Sequence, residues 1–374
     1  MKNISIEDIV KEMKIKAQEL ENVKVKIAIS GQSGSGKSSM INTIFGEKVA
    51  SVGSVETTLE IESYKQNGLE FYDLPGCGTS KFPIETYIED CNLLSFDSFI
   101  IVTSNRFYEN DEWLINKMVD SGRSVYVVRT KMDESIANEK RDNDLEKEEV
   151  YLKVRDNILK STKGIDIKGI YLISSVDGIK NDFKELLDNI ENNLDGIKKE
   201  RFLMDVTPYS REVLQAKKVA AGKIISYSAT VAAANGLNPI IGLDISVDVA
   251  ILIKLSKKIG DIFGINEKEI NYTTTKYGLD GKYVVSGKQF AAKFIAKEGV
   301  LLLLKRYSAS TASKTIFKLI PFAGQAIAAG IGYKMTFSFG QELLEEAYDL
   351  AYKILDEAKN KTSNHFYENE TLKY

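Results

Sequence analysis

Residues 31–38 read Gly-Gln-Ser-Gly-Ser-Gly-Lys-Ser, and no other stretch narrows the fold of the chain so far. The glycines at 31, 34 and 36 let the backbone curl until successive N–H groups face one side, a nest suited to phosphate oxygens. The run satisfies G-x-x-x-x-G-K-[ST], and its setting agrees. Before it, Val23, Val25, Ile27 and Ile29 alternate as in a strand; after it, SSMINTIFG suits a helix whose N-terminal donors and dipole favour an anion. Gly31, Gln32, Ser33, Gly34, Ser35, Gly36, Lys37, Ser38 and Ser39 are therefore expected to line a nucleotide's phosphates. Lys37 should reach the β- and γ-phosphates, and the Ser38 hydroxyl should bind Mg²⁺.

Further apolar runs at ESYKQNGLEFYDLPG, DSFIIVTSN, SVYVVRTK and GIYLISS alternate with segments able to form helices. That alternation predicts an α/β domain, a mostly parallel sheet with helices on both faces. Between the last two runs, the charge-laced ESIANEKRDNDLEKEEVYLKVRDNILK reads as solvated surface helix without chemistry. From about Thr207 onward the apolar residues follow helical periods, which predicts an all-α second domain. The N-terminal segment, with Ser5-Ile6-Glu7-Asp8 resembling a capping box and Ile6, Ile9, Val10, Met13, Ala17 and Leu20 at helical spacing, is expected to pack with it. The expected organisation is an N-terminal helix over 1–22, a nucleotide domain over 23–203, a helical domain over 204–360 and a flexible polar tail over 361–374. Two P-x-x-G corners, Pro239/Gly242 and Pro321/Gly324, suggest related helix openings. The uncharged run from Ile224 to Leu243 reads as a buried hairpin rather than a membrane span.

Composition removes several chemistries. The lone histidine, His365, lies in a polar stretch, and the cysteines are only Cys77 and Cys91, which argues against a Ser/His/Asp triad, a thiolate zinc site and a disulfide framework. Fifty basic against fifty-three acidic residues leave a formal charge of -3, so no nucleic-acid partner is expected. The start MKNISIEDIVKEM lacks an apolar signal core and the Met-Gly of a myristoylated chain. A cytoplasmic setting is expected, with peripheral contact to intracellular or inner membranes as the one membrane role left open.

Two motifs extend the phosphate loop. Asp73-Leu74-Pro75-Gly76 sets a carboxylate at a strand end to hold Mg²⁺, and Gly76 can give its N–H to the γ-phosphate, a loop sensitive to the third phosphate. Thr130-Lys131-Met132-Asp133 fits T/N-K-x-D: the Asp133 carboxylate can accept from both the ring N–H and the exocyclic amine of guanine, which adenine cannot match. Ser174 and Ser175 fall where a contact to the guanine carbonyl is expected. Within SVGSVETTLE, Thr57 and Thr58 both qualify to complete the Mg²⁺ shell. Cys77 follows Gly76 where many small GTPases keep a water-orienting residue, so unaided hydrolysis should be slow; Glu56, Arg106 and Arg129 are the polar groups available to raise it.

The chain resembles the immunity-related GTPases, also called interferon-inducible GTPases, over nearly its whole length. The likeness lies in GQSGSGKSSMINTIFG, VETTLE, FYDLPGCGTSKFPIETYI, FDSFIIVTSNRFYENDEWL, VYVVRTKMD and IPFAGQAIAAGIGYKMTFSFGQELLEEA. RF-x-x-ND (Arg106, Phe107, Asn110, Asp111) and RTK-x-D (from Arg129) exceed what a GTPase must have. The resemblance implies a Ras-like domain with a helical domain built from both chain ends, GTP as substrate, a GTP-dependent homodimer or oligomer, and hydrolysis accelerated through contacts between nucleotide domains. It assigns Thr58 as the switch threonine, Glu56 as an acidic group in activated hydrolysis, and Asp133 as the reader of the base. The alternatives are a monomeric switch that recruits a protein partner and a GTP-dependent assembly checkpoint.

Overall fold

The computed structural model describes residues 18–32, 34–50, 61–78, 80–104, 109–174, 182–236, 245–311 and 324–371, together with Lys11 and Ile15. The chain divides into two compact units, one Val23–Val206, the other Met1–Asn22 with Thr207–Tyr374.

The first unit is built on six strands: β1 (Val25–Ser30), β2 (Glu62–Gln66), β3 (Leu69–Asp73), β4 (Ser98–Thr103), β5 (Ser124–Arg129) and β6 (Gly169–Leu172). Their order in the sheet is β2-β3-β1-β4-β5-β6. All neighbours are parallel except β2, which runs antiparallel to β3. Every residue of β4 and nearly all of β1 and β5 are buried, as expected of parallel strands covered on both faces. The edge strand β2, ESYKQ, is charged and largely exposed, which protects the sheet against edge pairing. ESYKQNGLEFYD is a hairpin, turning at Asn67–Gly68 with Asn67 at φ 53°.

Helices α1 (Lys37–Phe45), α2 (Tyr87–Asp90), α3 (Glu109–Asp120), α4 (Met132–Asn143), α5 (Lys147–Ser161), α6 (Phe183–Asn192) and α7 (Gly196–Asp205) connect the strands. The charge-laced stretch after β5 is not one solvated helix. It breaks at Asp144, φ 51°, and restarts with a capping box between Glu146 and Glu149. It is also not wholly solvated, because Val150 and Ile158 are buried with Met132 in the core.

The last turn of α7 closes this unit. Arg201 grips Asp205 through Nε at 2.5 Å and Nη2 at 2.7 Å, and Asp205 Oδ2 accepts the Gly68 N–H at 2.8 Å. A Cβ on Gly68 would stand 2.3 Å from Arg201 Nε, so the turn requires glycine there. The compact unit accordingly runs to Val206 rather than to residue 203.

The second unit contains α8 (Arg211–Gly236), α9 (Ile245–Ile262), α10 (Glu267–Lys276), α11 (Lys282–Phe294), α12 (Lys297–Thr311) and α13 (Gly324–Thr371), with no strand among its described residues. The helical pairing of α8 and α13 is close: a Cβ on Gly340 would lie 2.3 Å from Ile225 Cγ2. Arg211–Asp356 at 2.5 Å and Lys218–Glu345 at 2.7 Å flank that crossing. Lys217 is fully buried, and its Nζ donates to Ile262 O at 2.7 Å, a cation on the C-terminal carbonyls of α9. Residues 18–22 are helical, and Glu21 pairs with Lys258 at 3.3 Å. The polar residues from 361, expected as a flexible tail, continue α13 as helix to Thr371. Ser5, Pro239, Gly242 and Pro321 lie outside the described residues. Among those described, no helix is long and apolar enough to cross a membrane.

Candidate nucleotide-binding site

Sheet register brings the first two motifs together. Ile29 of β1 stands beside Asp73 of β3, and Ser30 beside Ile101 of β4, so the chain leaves β1 between the tips of its neighbours. Gly31, at φ 151°, passes so close to β4 that a Cβ would meet Val102 O at 2.1 Å. Gly34 and Gly36 are at φ 72° and 92°, left-handed backbone that permits the curl. Gly36 caps α1, so among the described residues no N-cap side chain takes up the N-terminal donors of that helix. Those donors are left for a ligand.

Polar groups in this cradle lack partners. Ser35 Oγ and Asp73 Oδ1 are buried without a hydrogen bond among the described residues. Lys37 Nζ donates to Gly31 O at 2.8 Å and Gln32 O at 3.2 Å, and stands 3.6 Å from Asp73 Oδ1, an ion-pair distance. Burial pushes the Asp73 carboxyl up to about 6; Lys37 opposes the rise, and Glu62, opposite it on β2, adds to it. A buried hydroxyl and a buried carboxylate oxygen, neither taking a hydrogen bond and the second facing a lysine, fit an oxyanion chain accompanied by a divalent cation.

The third motif reaches the same cradle from β5. Thr130 N donates to Thr103 O at 2.9 Å, and Thr130 Oγ1 to Ser35 O at 2.5 Å. A single hydroxyl thus ties the presumptive base loop to the phosphate loop. Lys131 follows in left-handed conformation, φ 54°, which turns the chain into α4 and sets Asp133 in its first turn. Asp133 is exposed, and its Oδ1 accepts from Ser174 Oγ at 2.5 Å. The Ser174 hydroxyl orients Asp133, a role apart from the backbone contact to the guanine carbonyl expected of this residue.

Arg129 is neither a surface charge nor a group free to reach phosphate. It is 7% exposed, burial lowers its pKa, and its Nη2 donates to Ser135 Oγ at 3.0 Å. Ser135 in turn donates to Lys131 O at 3.2 Å, bracing the left-handed turn. Sequence reasoning missed this relay because Ser135 belongs to no motif and the link runs through a backbone carbonyl.

The loop after β3 is held at several points. Leu74 N donates to Ile29 O at 2.8 Å, Tyr87 Oη to Pro75 O at 2.7 Å and Asn110 Nδ2 to Cys77 O at 2.8 Å, while Gly76 is exposed between them. Burial pushes the thiols of Cys77 and Cys91 up to about 11, so both stay protonated and unreactive at neutral pH. Ser38 and Ser39 lie in the first turn of α1. Ser33, Glu56, Thr57, Thr58, Arg106 and Ser175 fall outside the described residues, so their expected roles rest on the sequence. Among the described residues, no group of three or more His, Cys, Asp or Glu side chains is placed to hold a metal ion. Ser38 and Asp73 would share a cation with a ligand's own oxygens.

Comparison with known proteins gives a family match over most of the chain. The interferon-inducible GTPase (IIGP) family model matches residues 1–359. Interferon-inducible GTPase 1 of Mus musculus is 30% identical over 265 residues, 68% of this chain and 64% of that protein. Interferon-inducible GTPase 5 of Rattus norvegicus is 26% identical over 358 residues, 90% of this chain and 77% of that one. The chain thus spans somewhat under two thirds of the mouse relative and about three quarters of the rat one. Among solved structures, a probable GTP-binding protein engB matches at 18% identity and TM-score 0.33, covering 47% of this chain and all of that one.

Proposed function

The chain belongs to the interferon-inducible GTPase family and carries that family's GTPase domain, and on that premise we propose that it binds GTP with Mg²⁺, hydrolyses it slowly alone and faster when two copies meet. The observation that carries the nucleotide assignment is the Thr130 Oγ1 bond to Ser35 O at 2.5 Å. It makes the loop built for phosphates and the loop built for a purine edge two walls of one pocket.

In this reading Gly31 to Ser39 wrap the phosphates, Lys37 exchanges its two backbone carbonyls for phosphate oxygens, and Ser38, Asp73 and Thr58 hold the cation. Mg²⁺ supplies neutralisation of phosphate charge. Asp133 takes the two N–H groups of guanine with one carboxylate, fixed by Ser174, and Lys131 flanks the base. An unmatched acceptor facing adenine would disfavour ATP by about a hundredfold or more. Gly76 presents its N–H to the third phosphate.

Cys77, a neutral thiol, replaces the residue that would orient water. The missing rate enhancement is assigned to groups brought together in a nucleotide-dependent homodimer, with Glu56 on the switch segment as the acidic contributor. Any membrane contact in this reading is peripheral.

Titration of wild type, Lys37→Ala and Asp133→Asn with GTP and ATP, with turnover followed at several protein concentrations, tests the whole. Lys37→Ala should lose triphosphate affinity, Asp133→Asn should lose base preference, and turnover per molecule should rise with concentration. Equal affinity for ATP and GTP in the wild type would remove the site assignment; concentration-independent turnover would leave a monomeric switch.

A further inference from the structure

The nucleotide site leaves part of one motif unused. Of RF-x-x-ND, neither Asn110 nor Asp111 belongs to the phosphate, metal or base machinery, yet Asn110 stands at the loop that senses the third phosphate. Its Nδ2 donates to Cys77 O at 2.8 Å, on the C-terminal side of Gly76. The nitrogen must face that carbonyl, because the amide oxygen would repel it. On the N-terminal side of Gly76, Tyr87 Oη donates to Pro75 O at 2.7 Å. Gly76 is exposed between two carbonyls that are each held by a side chain from elsewhere in the fold.

The two clamps share a support. Asn110 and Trp113 lie one turn apart at the start of α3, and the Trp113 ring meets the Tyr87 ring edge-on, centroids 6.5 Å apart. Phe82 packs on the other side of Tyr87, centroids 6.4 Å apart at 90°, and its carbonyl accepts the Gly78 N–H at 2.9 Å. Tyr87 is fully buried, and burial raises its phenol above the ordinary range, so it remains a donor at physiological pH. Gly78 completes the fit: it sits at φ 79°, and a Cβ there would lie 2.5 Å from Asn110 Nδ2.

We infer that Asn110 and Tyr87 are positioning residues that hold the loop from Asp73 to Gly78 so that the Gly76 amide is presented to the third phosphate, and thereby set how much that phosphate adds to nucleotide affinity. The inference rests on the nucleotide assignment proposed above. A loop fixed before the ligand arrives loses little conformational freedom on binding, and the contact it then makes exists only with a triphosphate. Freeing either carbonyl lets the loop sample other conformations, a cost borne by GTP and not by GDP.

The test is titration of full-length protein with fluorescent GDP and a fluorescent nonhydrolysable GTP analogue, with single-turnover hydrolysis alongside. Asn110→Ala and Tyr87→Phe are compared with Asn116→Ala, which removes an exposed side-chain bond from Asn116 Nδ2 to Glu112 O on the same helix. Tyr87→Phe keeps the ring between Trp113 and Phe82, so the fold is preserved while the donor is lost. Asn110→Ala and Tyr87→Phe should each weaken the GTP analogue about five- to tenfold, leave GDP within about twofold and slow single-turnover hydrolysis, whereas Asn116→Ala changes neither nucleotide. If GDP and the GTP analogue weaken together, or only the melting temperature falls, the two residues serve stability and the inference is overturned. Failure of the underlying assignment looks different: wild type would bind neither nucleotide, or Lys37→Ala would bind both unchanged.

Discussion

The two units of this chain treat buried polarity in opposite ways. In the nucleotide unit, Ser35 Oγ and Asp73 Oδ1 are buried in the phosphate cradle without hydrogen-bond partners among the described residues. In the helical unit, groups at similar depth are met from within: Lys217 by Ile262 O at 2.7 Å, and Ser256 by Leu252 O at 2.9 Å, with Thr274 Oγ1 the exception. Each unpaired buried group costs free energy that a well-matched interior avoids. The contrast teaches that the first unit is built around something it does not itself contain, while the second is built to be complete. Substitutions should therefore separate cleanly, those in the cradle changing ligand preference and those in the helical crossing changing stability.

The largest separation is expected from Asp133→Asn. Loss of a charged acceptor at the purine edge should lower GTP affinity about a hundredfold and shift preference toward xanthosine triphosphate, with an unchanged melting temperature. Competition binding and calorimetry read the two effects. Next comes Gly340→Leu in the helical unit, where the added side chain meets Ile225; overpacking should remove about 1–3 kcal/mol of stability and leave nucleotide affinity alone, as denaturant titration would show. A change in GTP affinity in this variant would break the comparison.

Asp73→Asn should act on both quantities in opposite directions. The folded-state pKa, about 6, lies above the ordinary value of 3.8, so the ionised carboxylate costs stability as pH rises through that window, and the cost is complete above about 6. The amide removes the charge, so protein stripped of metal and nucleotide should gain about 1–2 kcal/mol at pH 7 and nothing near pH 3.5, while Mg²⁺-dependent GTP binding is lost. Melting curves across that pH range check the sign. Smallest is Ser174→Ala, which removes only the hydroxyl at Asp133 Oδ1; guanine preference over hypoxanthine should fall about threefold, measured with GTP against ITP.

The parts of the site that were legible in sequence are those where chemistry constrains residue type locally. Gly31, Gly34 and Gly36 announce a left-handed curl, and the carboxylates of Asp73 and Asp133 stand at or just beyond the end of an apolar strand. The parallel sheet was legible for the same reason, as the centres of β4 and β5, FIIV and VYVV, are unbroken hydrophobic runs. What escaped is held together over long sequence distances: Asn110 to Cys77, Tyr87 to Pro75 and Gly68 to Asp205 each join residues with no shared pattern. The break at Asp144 escaped because a single left-handed residue inside a charged run leaves no periodic trace. The relay from Arg129 through Ser135 to Lys131 runs through a serine outside any motif.

The grip of Arg201 and Asp205 on the β2–β3 turn has a practical meaning for anyone cutting the gene. A fragment that stops at residue 203 discards the acceptor for the Gly68 amide and strands an arginine 5% exposed beside it, so it should express poorly or precipitate. One that spans Val23 to Val206 keeps that lock shut and is the shortest piece from which a freestanding nucleotide-loading protein should be purified.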